Sequence, residues 1–386
     1  MKRVSGQIGQ VRTTRRSVSK GLFGMGAAGI LGNVLLHSGS ARASNEGADR
    51  KMAKIHVITT EEAMIIPEII EANIRYLEKY PDRETGARVL ATGFGAELMK
   101  RWRKELVDIG EGRIAAMDRD GIDTQLLSLT APGVQLLDAD EAVPLAALVN
   151  DRLSAAVKAY PGRFEALAAV APQAPDIAAR ELERAIKTLG LKGALINSHT
   201  RGEYMDDQKF WPIFEALEAL DVPLYLHPRD PSEKMVAPYI PALLLGPAWG
   251  FAAEAGLHAL RLIFSGVFDR FPNLRIVLGH LGEGIPFYLS RLDKRYIEDE
   301  CPTRVKLKQM PSAYFRQNFV VTTTGVNWAP AVLFCQEVLG EDKVLFGADH
   351  PYEDQKEALD LVKQIPMADE TRALLYGGNA RRVFKI

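Results

Sequence analysis

Short apolar segments alternate along this chain with longer segments in which apolar residues recur at spacings of three and four. The short segments have the length of buried strands, and the longer ones have the period of one helix face. This alternation predicts repeated βαβ units, and eight parallel strands close a barrel. We therefore expect an α/β fold, a TIM-type (β/α)8 barrel. The predicted strands are residues 55–61, 124–129, 164–170, 192–198, 223–228, 275–280, 319–324 and 344–349.

The segments between these strands are predicted to be the outer helices. A longer insert, residues 62–121, follows the first strand, is helical in part and is expected to cover the barrel mouth. No internal repeat or change in composition indicates another domain, so residues 44–386 are predicted to form a single barrel domain. The predicted helices are Ala139–Ala159, Asp176–Leu189, Asp207–Leu220, Gly250–Ile263, Ile285–Ile297, Trp328–Leu339 and Glu353–Lys363.

Residues 1–43 have the pattern of an export signal. They contain seven basic residues and no acidic ones, and the segment Thr14-Arg15-Arg16-Ser17-Val18-Ser19-Lys20 resembles a twin-arginine motif. A weakly apolar stretch follows, and Ala41-Arg42-Ala43 offers a cleavage site. The stretch is too short and too weakly apolar for a membrane span. We predict export by the twin-arginine route to the periplasm, with a disordered basic tail as the alternative.

Charge and cysteine content exclude two classes of protein. Without the signal, 41 Lys and Arg face 49 Asp and Glu, a formal net charge of −8, so no basic surface for nucleic acid is expected. The two cysteines, Cys301 and Cys335, are too few for a disulfide scaffold. We expect two unpaired thiols that are buried as small apolar residues, and a single disulfide is the alternative.

Four predicted strands end on side chains that bind metals. These are Glu61, His227, His280 and Asp349. For any one of them alone, a hydrogen-bonded core residue is the better explanation. In a parallel barrel, however, the C-terminal strand ends converge on one mouth, so the four together predict a site for one divalent metal ion.

Seven motifs occur in an order that resembles a known family. They resemble the hydroxybenzoate decarboxylases of the amidohydrolase-related, aminocarboxymuconate semialdehyde decarboxylase-like group, especially gamma-resorcylate and 2,3-dihydroxybenzoate decarboxylases. The resemblance runs from Ile55 to Ile386. The motifs are Thr60-Glu61-Glu62-Ala63, Leu129–Gln135, Gly193–Asn197, His227-Pro228-Arg229-Asp230-Pro231, Gly266–Asp269, Gly279–Pro286 and Leu345–Pro351.

The resemblance implies a role for each matching residue. Zinc is the expected ion, with manganese or magnesium as alternatives. The family's histidine two residues after the glutamate is replaced here by Ala63, which leaves more open coordination positions. The implied metal ligands are Glu61, His227 and Asp349, with His280 as ligand or base and Glu283 as its hydrogen-bonding partner.

The leading hypothesis is nonoxidative decarboxylation of a small hydroxybenzoate-like acid. Asp349 would protonate the ring carbon, while His280 and Glu283 would hold a proton and orient the substrate. Arg291, Asn197 and Trp249 are the predicted substrate contacts, and Phe94, Trp102 and Phe251 are further aromatic candidates. The alternatives are a metal-dependent hydrolase of an amide, ester, lactone or carbon–carbon bond, and a binding protein without turnover. A homodimer or homotetramer is expected.

Overall fold

Nine short strand segments, all paired in parallel, form the centre of the protein in a computed structural model that describes residues 55–386. The predicted export signal lies outside the described residues and stays a prediction. Only Leu167 separates β3 from β4, so these two segments make up one strand of the barrel. The segments are β1 (Ile58–Met64), β2 (Thr124–Leu129), β3 (Phe164–Ala166), β4 (Ala168–Ala169), β5 (Ala194–Asn197), β6 (Leu224–His227), β7 (Ile276–Leu278), β8 (Phe319–Thr322) and β9 (Val344–Leu345).

Backbone hydrogen bonds connect these strands around the whole ring. Pairing runs from β1 to β3 and from β4 to β9, and the Leu167 N–H donates to the Leu127 carbonyl over 2.9 Å between the two groups. A parallel bridge between Thr60 and Gly347 joins the first strand to the last, and the Thr60 N–H donates to the Phe346 carbonyl over 3.0 Å. The predicted eight-stranded barrel is therefore confirmed.

The barrel interior is filled by side chains. Each of the eight strands contributes one buried apolar or aromatic residue, and the C-terminal helix closes one end with Phe384. Such filling makes the barrel a packed core, so the open site must lie at the other end. The interior residues are Ile58, Leu126, Leu167, Leu195, Tyr225, Val277, Val320 and Leu345.

The outer helices agree closely with the periodicity of the sequence. The predicted helix Ala139–Ala159 has the predicted bounds, whereas the segment predicted from Asp207 begins as a 3-10 turn, Gln208–Phe210, before the helix proper. A π-helical turn, Leu374–Gly378, precedes the last helix. The helices are α1 (Pro67–Lys79), α2 (Thr85–Gly93), α3 (Ala96–Val107), α4 (Glu111–Asp120), α5 (Ala139–Ala159), α6 (Pro175–Lys187), α7 (Trp211–Leu220), α8 (Gly250–Phe264), α9 (Val267–Arg270), α10 (Gly279–Glu283), α11 (Ile285–Glu298), α12 (Pro311–Asn318), α13 (Ala329–Leu339), α14 (Gln355–Lys363), α15 (Asp369–Ala373) and α16 (Asn379–Phe384).

The insert between β1 and β2 consists of helices α1 to α4. Residues of α2 and α3 line the main cavity at the barrel mouth, as expected for a cover. The first strand differs from its prediction, because β1 continues past Glu61 to Met64. Its pairing with β2 shifts between Thr59 and Glu62, which marks a bulge at this point.

Two further predictions concern the membrane and the thiols. Within residues 55–386, no helix combines the length and the apolar character needed to cross a bilayer. Cys301 and Cys335 are both free thiols, which confirms the prediction that they are unpaired. Cys335 is buried as expected, whereas Cys301 is exposed, so the prediction that both are buried is wrong for Cys301.

Candidate active site

Glu61 is held at the barrel mouth by the bulge in β1. Its backbone has a positive φ of 70°, and its side chain is 1 % exposed. The carboxylate oxygen Oε2 accepts hydrogen bonds from the hydroxyls of Tyr225 and Thr322, the latter at 3.1 Å. The other oxygen, Oε1, has no hydrogen-bond partner among the described residues. One half of the carboxylate is therefore anchored and the other is free to bind a ligand.

Gly279 makes room for this carboxylate. A Cβ atom at position 279 would lie 3.0 Å and 3.1 Å from the two carboxylate oxygens of Glu61. The residue follows β7 directly and lies two positions after the inward-facing Val277. A larger residue here would crowd Glu61, so the absence of a side chain is a condition of the site.

Two histidines face the free oxygen of Glu61. The Nε2 atom of His227 lies 3.5 Å from Glu61 Oε1, and the Nε2 atom of His280 lies 3.9 Å from it. His280 lies in a left-handed turn, with φ of 52°, and its Nδ1 atom is 2.8 Å from Oε1 of Glu283. A carboxylate on one ring nitrogen fixes the orientation of the other, as is common for histidines that bind metals.

The two histidines differ in electrostatic environment. Burial lowers the pKa of His227, and nearby His280 lowers it further, so its imidazole is neutral, which is the form that binds a metal. Burial alone would also lower the pKa of His280, but the charges of Glu283 and Glu61 outweigh burial and raise it to about 10.

Asp349 follows β9 and completes the group. Its backbone is left-handed, with φ of 57°, and its Oδ1 atom is buried without a hydrogen-bond partner among the described residues. Burial and the charge of Glu61 raise the pKa of Asp349 well above its ordinary value. Positive φ at Glu61, His280 and Asp349 is unusual for residues other than glycine, and such backbone strain concentrates at functional sites.

Glu62 holds the segment around Asp349 in place. Its two carboxylate oxygens accept hydrogen bonds from the backbone N–H groups of Ala348 and His350, each at 3.1 Å. Burial raises the pKa of Glu62 to about 7, despite these hydrogen bonds and the nearby charge of Arg113. Because one glutamate binds the amides on both sides of Asp349, it fixes the position of that residue.

The donor set fits a divalent cation. Glu61 Oε1 and Asp349 Oδ1 are buried and have no hydrogen-bond partner among the described residues, and burial and the charge of Glu61 raise the pKa of Asp349. Within residues 55–386, no group of three or more His, Cys, Asp or Glu side chains is close enough as it stands to hold a metal ion. The separations of 3.5 Å and 3.9 Å nevertheless exceed only slightly the spacing of ligands on one ion. Two ligand atoms, each about 2.1 Å from an ion, lie roughly 3 to 3.5 Å apart.

A cavity of about 460 Å³ opens beside this group. His227, His280 and Asp349 lie on its wall. The helical insert supplies Phe94 and Trp102, whose ring centroids are 5.1 Å apart. This volume and these aromatic walls suit a small molecule with a flat ring.

Three predicted substrate contacts are not among the residues that line this cavity, and their role in binding substrate stays a prediction. Asn197 is buried, and its backbone N–H donates to the Gln135 side chain at 2.6 Å. Trp249 is 59 % exposed, whereas nearby Phe251 does line the cavity. Arg291 is exposed on α11. It lies six residues after Ile285, the first residue of this helix, and therefore about 9 Å along the helix axis from it.

Sequence reasoning missed three residues that position the site: Tyr225, Thr322 and Glu62. Tyr225 was detectable, because it lies two residues before His227 on the same strand and therefore faces the same side. Thr322 is a polar residue at the C-terminal end of β8, a position that the strand-end pattern could have indicated. Glu62 adjoins Glu61, but no local pattern indicates its bonds to residues almost 290 positions later.

The sequence of this chain is similar to those of known proteins. The amidohydrolase family model matches residues 54–386. The chain is 39 % identical over 292 residues to the gamma-resorcylate decarboxylase of Polaromonas sp. strain JS666, a match that covers 74 % of this chain and 90 % of that protein.

Solved structures agree with the sequence comparison. The 5-carboxyvanillate decarboxylase of Novosphingobium aromaticivorans, in complex with manganese and 4-hydroxy-3-methoxy-5-nitrobenzoic acid, has a TM-score of 0.83 and 40 % identity, covering 86 % of this chain and 97 % of its own. The 2,6-dihydroxybenzoate decarboxylase of Rhizobium has a TM-score of 0.76 and 35 % identity, covering 86 % of this chain and 98 % of its own.

Proposed function

The chain belongs to the amidohydrolase family, and on this premise we propose that it catalyses metal-dependent, nonoxidative decarboxylation of a small hydroxylated aromatic acid. The observation that carries the proposal is Asp349, a buried carboxyl group with a raised pKa on the wall of an aromatic cavity. A protonated carboxyl group beside a flat substrate can act as a general acid. The three similar proteins described above are named as decarboxylases of aromatic acids, which supports the same reaction class.

Glu61, His227 and Asp349 would hold a divalent ion, with His280 as a further ligand or as a base. Manganese in a similar structure supports a divalent ion, and zinc stays a prediction for this chain. When bound, the ion supplies positive charge that binds the substrate oxygens and stabilises negative charge as it develops. Tyr225 and Thr322 keep Glu61 oriented, and Glu283 keeps Nε2 of His280 directed toward Glu61.

Asp349 would deliver the proton that the reaction consumes. Its proton passes to the ring carbon that carries the carboxylate. The bond between that carbon and the carboxylate then breaks, carbon dioxide leaves, and the electron pair of the bond restores the aromatic ring. Asp349 is left as a carboxylate, and a proton from solvent returns it to its starting state.

The competing reaction is hydrolysis on the same barrel. Hydrolysis needs an activated water beside a polar carbonyl group, whereas the insert covers this mouth with apolar and aromatic side chains such as Leu90, Phe94 and Met99. The ring of a flat aromatic acid can pack against these apolar and aromatic side chains. The cavity therefore favours decarboxylation.

The direct test measures carbon dioxide and acid release separately. Metal-loaded protein is incubated with a panel of hydroxybenzoates and with ester and lactone substrates. Carbon dioxide from a hydroxybenzoate, lost when the metal is removed by a chelator, is the expected result. Acid release from an ester or lactone, with no carbon dioxide from any benzoate, would contradict the proposal and favour the hydrolase.

We also propose that the chain forms a homo-oligomer through a patch of exposed aromatic residues. Phe287 is 74 % exposed and contacts the rings of Tyr288 and Phe334, with centroids 5.4 Å and 6.3 Å away. Exposed apolar patches often mark protein interfaces. Light scattering on the purified protein should give a dimer or a tetramer, and a monomer at micromolar concentration would refute the proposal.

Export by the twin-arginine route is likewise a proposal. It rests on the sequence pattern of residues 1–43 alone. Mass analysis of protein from the periplasm should find a chain that begins near Ser44. An intact chain from Met1, confined to the cytoplasm, would refute it.

A further inference from the structure

We infer that Glu84 and Arg229 are positioning residues, whose buried ion pair connects α2, a helix of the cover, to the loop that carries His227. The inference rests on the proposed function only in taking the cavity as the place where the substrate binds. Neither Glu84 nor Arg229 lines the cavity, so each acts through the segments that it joins.

Helix α2 contributes one face to the wall of the cavity. Ala87, Leu90 and Ala91 line the cavity, and their spacings of three and four residues place them on one side of the helix. Phe94, the C-cap residue of α2, and His227, at the end of β6, line the same cavity. The position of this helix relative to the metal-binding group therefore sets the space that is available to a flat ring.

Apolar burial within the chain does little to hold α2 in place. All nine residues of this helix are described, and only Gly86 among them is buried, whereas its C-terminal residues 91–93 are exposed. An isolated helix of this length is marginal in water, so its position depends on contacts with its neighbours. Neighbouring α1, by contrast, has four buried residues, Ile69, Ala72, Asn73 and Tyr76.

The polar contacts that hold α2 against the barrel lie at its N-terminal end. The Nη2 atom of Arg229 lies 2.6 Å from Oε2 of Glu84, the N-cap residue. The backbone N–H and the hydroxyl of Thr85 donate to the two carboxylate oxygens of Glu233, at 2.9 Å and 2.7 Å. Within residues 55–386, these contacts are all the hydrogen bonds between α2 or its N-cap and a loop of the barrel. They join two segments of one chain, so they require no second copy.

Arg229 brings this contact to the metal-binding group. It lies two residues after His227 in the loop that follows β6, and its side chain is fully buried, while that of Glu84 is 9 % exposed. Its Nη2 atom also lies 3.3 Å from Oδ1 of Asp230, a residue that lines the cavity. A buried guanidinium needs such partners, because an unpaired charge is very costly to bury. The planar guanidinium also fixes the direction of each bond, so the pair holds α2 at a defined place on the loop.

The backbone at the start of α2 supports the same conclusion. Glu84 has a left-handed conformation, with φ of 53°, which is uncommon for residues other than glycine. Such a conformation persists only where the surroundings hold it, and the ion pair with Arg229 does so here. Gly86 packs so closely on Asp230 that a Cβ atom at position 86 would lie 2.2 Å from Oδ2 of that residue.

Hydrogen exchange of the metal-loaded protein is the first test. Glu84→Gln removes the charge and keeps the size of the side chain. Asp206→Asn is the matched control, because Asp206 forms an ion pair of 2.8 Å with Arg261 outside the cavity. The backbone amides of α2 should exchange about tenfold faster in Glu84→Gln and at an unchanged rate in Asp206→Asn, since local opening governs exchange. Unchanged exchange of α2 in a folded Glu84→Gln would overturn the inference.

Ligand binding tests whether this contact matters to the site. The probe is 4-hydroxy-3-methoxy-5-nitrobenzoic acid, the ligand of the Novosphingobium structure. In metal-loaded Glu84→Gln, the Kd for the probe should rise about tenfold and the Kd for Mn²⁺ should stay within about threefold, because the pair preorganises the cover and binds no metal. Asp206→Asn should change neither value. A lower Tm with an unchanged Kd for the probe would show a merely structural pair and refute the positioning role. If the unaltered protein does not bind the probe, the exchange measurement decides.

Turnover separates this inference from the proposed function. With a hydroxybenzoate substrate, Glu84→Gln should raise KM with little change in kcat, because the variant weakens binding and leaves Asp349 and His280 in place. A fall in kcat with unchanged KM would contradict the positioning role. If no benzoate releases carbon dioxide, the proposed decarboxylation fails, and the exchange measurement still tests the contact.

A second variant covers the case in which Glu84→Gln does not fold. Glu233 is exposed, and Glu233→Gln weakens only the contact with Thr85. This variant should increase the exchange of α2 in the same direction, by a smaller factor, because exposed contacts contribute less than buried ones. Unchanged exchange of α2 in Glu233→Gln, when Glu84→Gln does not fold, would refute the inference.

Discussion

Replacing Tyr225 with Phe tests how the candidate metal site is held together. The Tyr225 hydroxyl donates to Oε2 of Glu61 from inside the barrel, and burial together with the charge of Glu61 raises the pKa of Tyr225 well above its ordinary value. The tyrosine therefore stays a donor across the working pH range. Phe keeps the ring in the barrel core and removes only the hydroxyl, so Glu61 retains a single donor, Thr322 at 3.1 Å.

The size of the effect follows from the lost hydrogen bond. A hydrogen bond to a charged group contributes about 1.5–3 kcal/mol. Removing a residue that orients a metal ligand typically lowers metal affinity about 10- to 100-fold, which is about 1.4–2.8 kcal/mol. The two ranges agree, so we expect Tyr225→Phe to raise the Kd for Mn²⁺ or Zn²⁺ by one to two orders of magnitude.

The assay is a competition titration with a chromophoric chelator. Tyr314→Phe is the matched control, because Tyr314 is also buried and also donates to a carboxylate, that of Asp269, outside the cavity. Tyr314→Phe should lower the free energy of unfolding without changing metal affinity. If Tyr225→Phe binds metal within twofold of the unaltered protein while Glu61→Gln does not bind it, the orienting role of Tyr225 is wrong.

Three further predictions test the acid, a buried histidine and the packing of the cover. Asp349→Asn should lower carbon dioxide release by about 10²- to 10⁴-fold with little change in Tm, and a fully active variant would remove Asp349 from the mechanism. Burial lowers the pKa of His258 to about 3, so the unfolded chain binds more protons than the folded one below pH 6.5. Between pH 6.5 and 5, this histidine should reduce the free energy of unfolding by about 2 kcal/mol, and denaturant titrations of His258→Gln should lack that part of the slope. A Cβ atom at Gly86 would lie 2.2 Å from Asp230 Oδ2, whereas one at Gly93 of the same helix meets nothing nearer than 4.0 Å. Gly86→Ala should therefore cost about 1–3 kcal/mol in thermal unfolding and Gly93→Ala should not, and equal Tm values for the two variants would contradict the packing argument.

The site was predictable from the sequence where it depends on strand ends. His227, at the end of β6, and Asp349, just beyond β9, lie on the wall of one cavity. His280 joins them because it lies two residues beyond the end of β7. Their approach follows from the parallel barrel alone, since every strand delivers its last residues to the same mouth.

The sequence was a poor guide where the direction of a side chain depends on packing. Arg291 has the spacing of the family's substrate contact but lies exposed on α11, away from the cavity of this chain. Asn197 follows the same strand-end rule as His227, yet its backbone N–H is bound to Gln135 and it does not reach the cavity wall. A strand-end position is therefore not sufficient to bring a side chain to the cavity wall.

By itself, the sequence determined the barrel, the helical insert and the approach of the metal-binding residues, because these depend on local periodicity and on the order of elements along the chain. The tertiary structure decided which ligand atoms of these residues remain free to bind a metal ion. The bulge before Glu62 places Glu61 at the mouth, and Tyr225 and Thr322, 164 and 261 positions away, bind one of its oxygens. Such contacts depend on how distant segments pack in three dimensions, and no local pattern in the sequence specifies them.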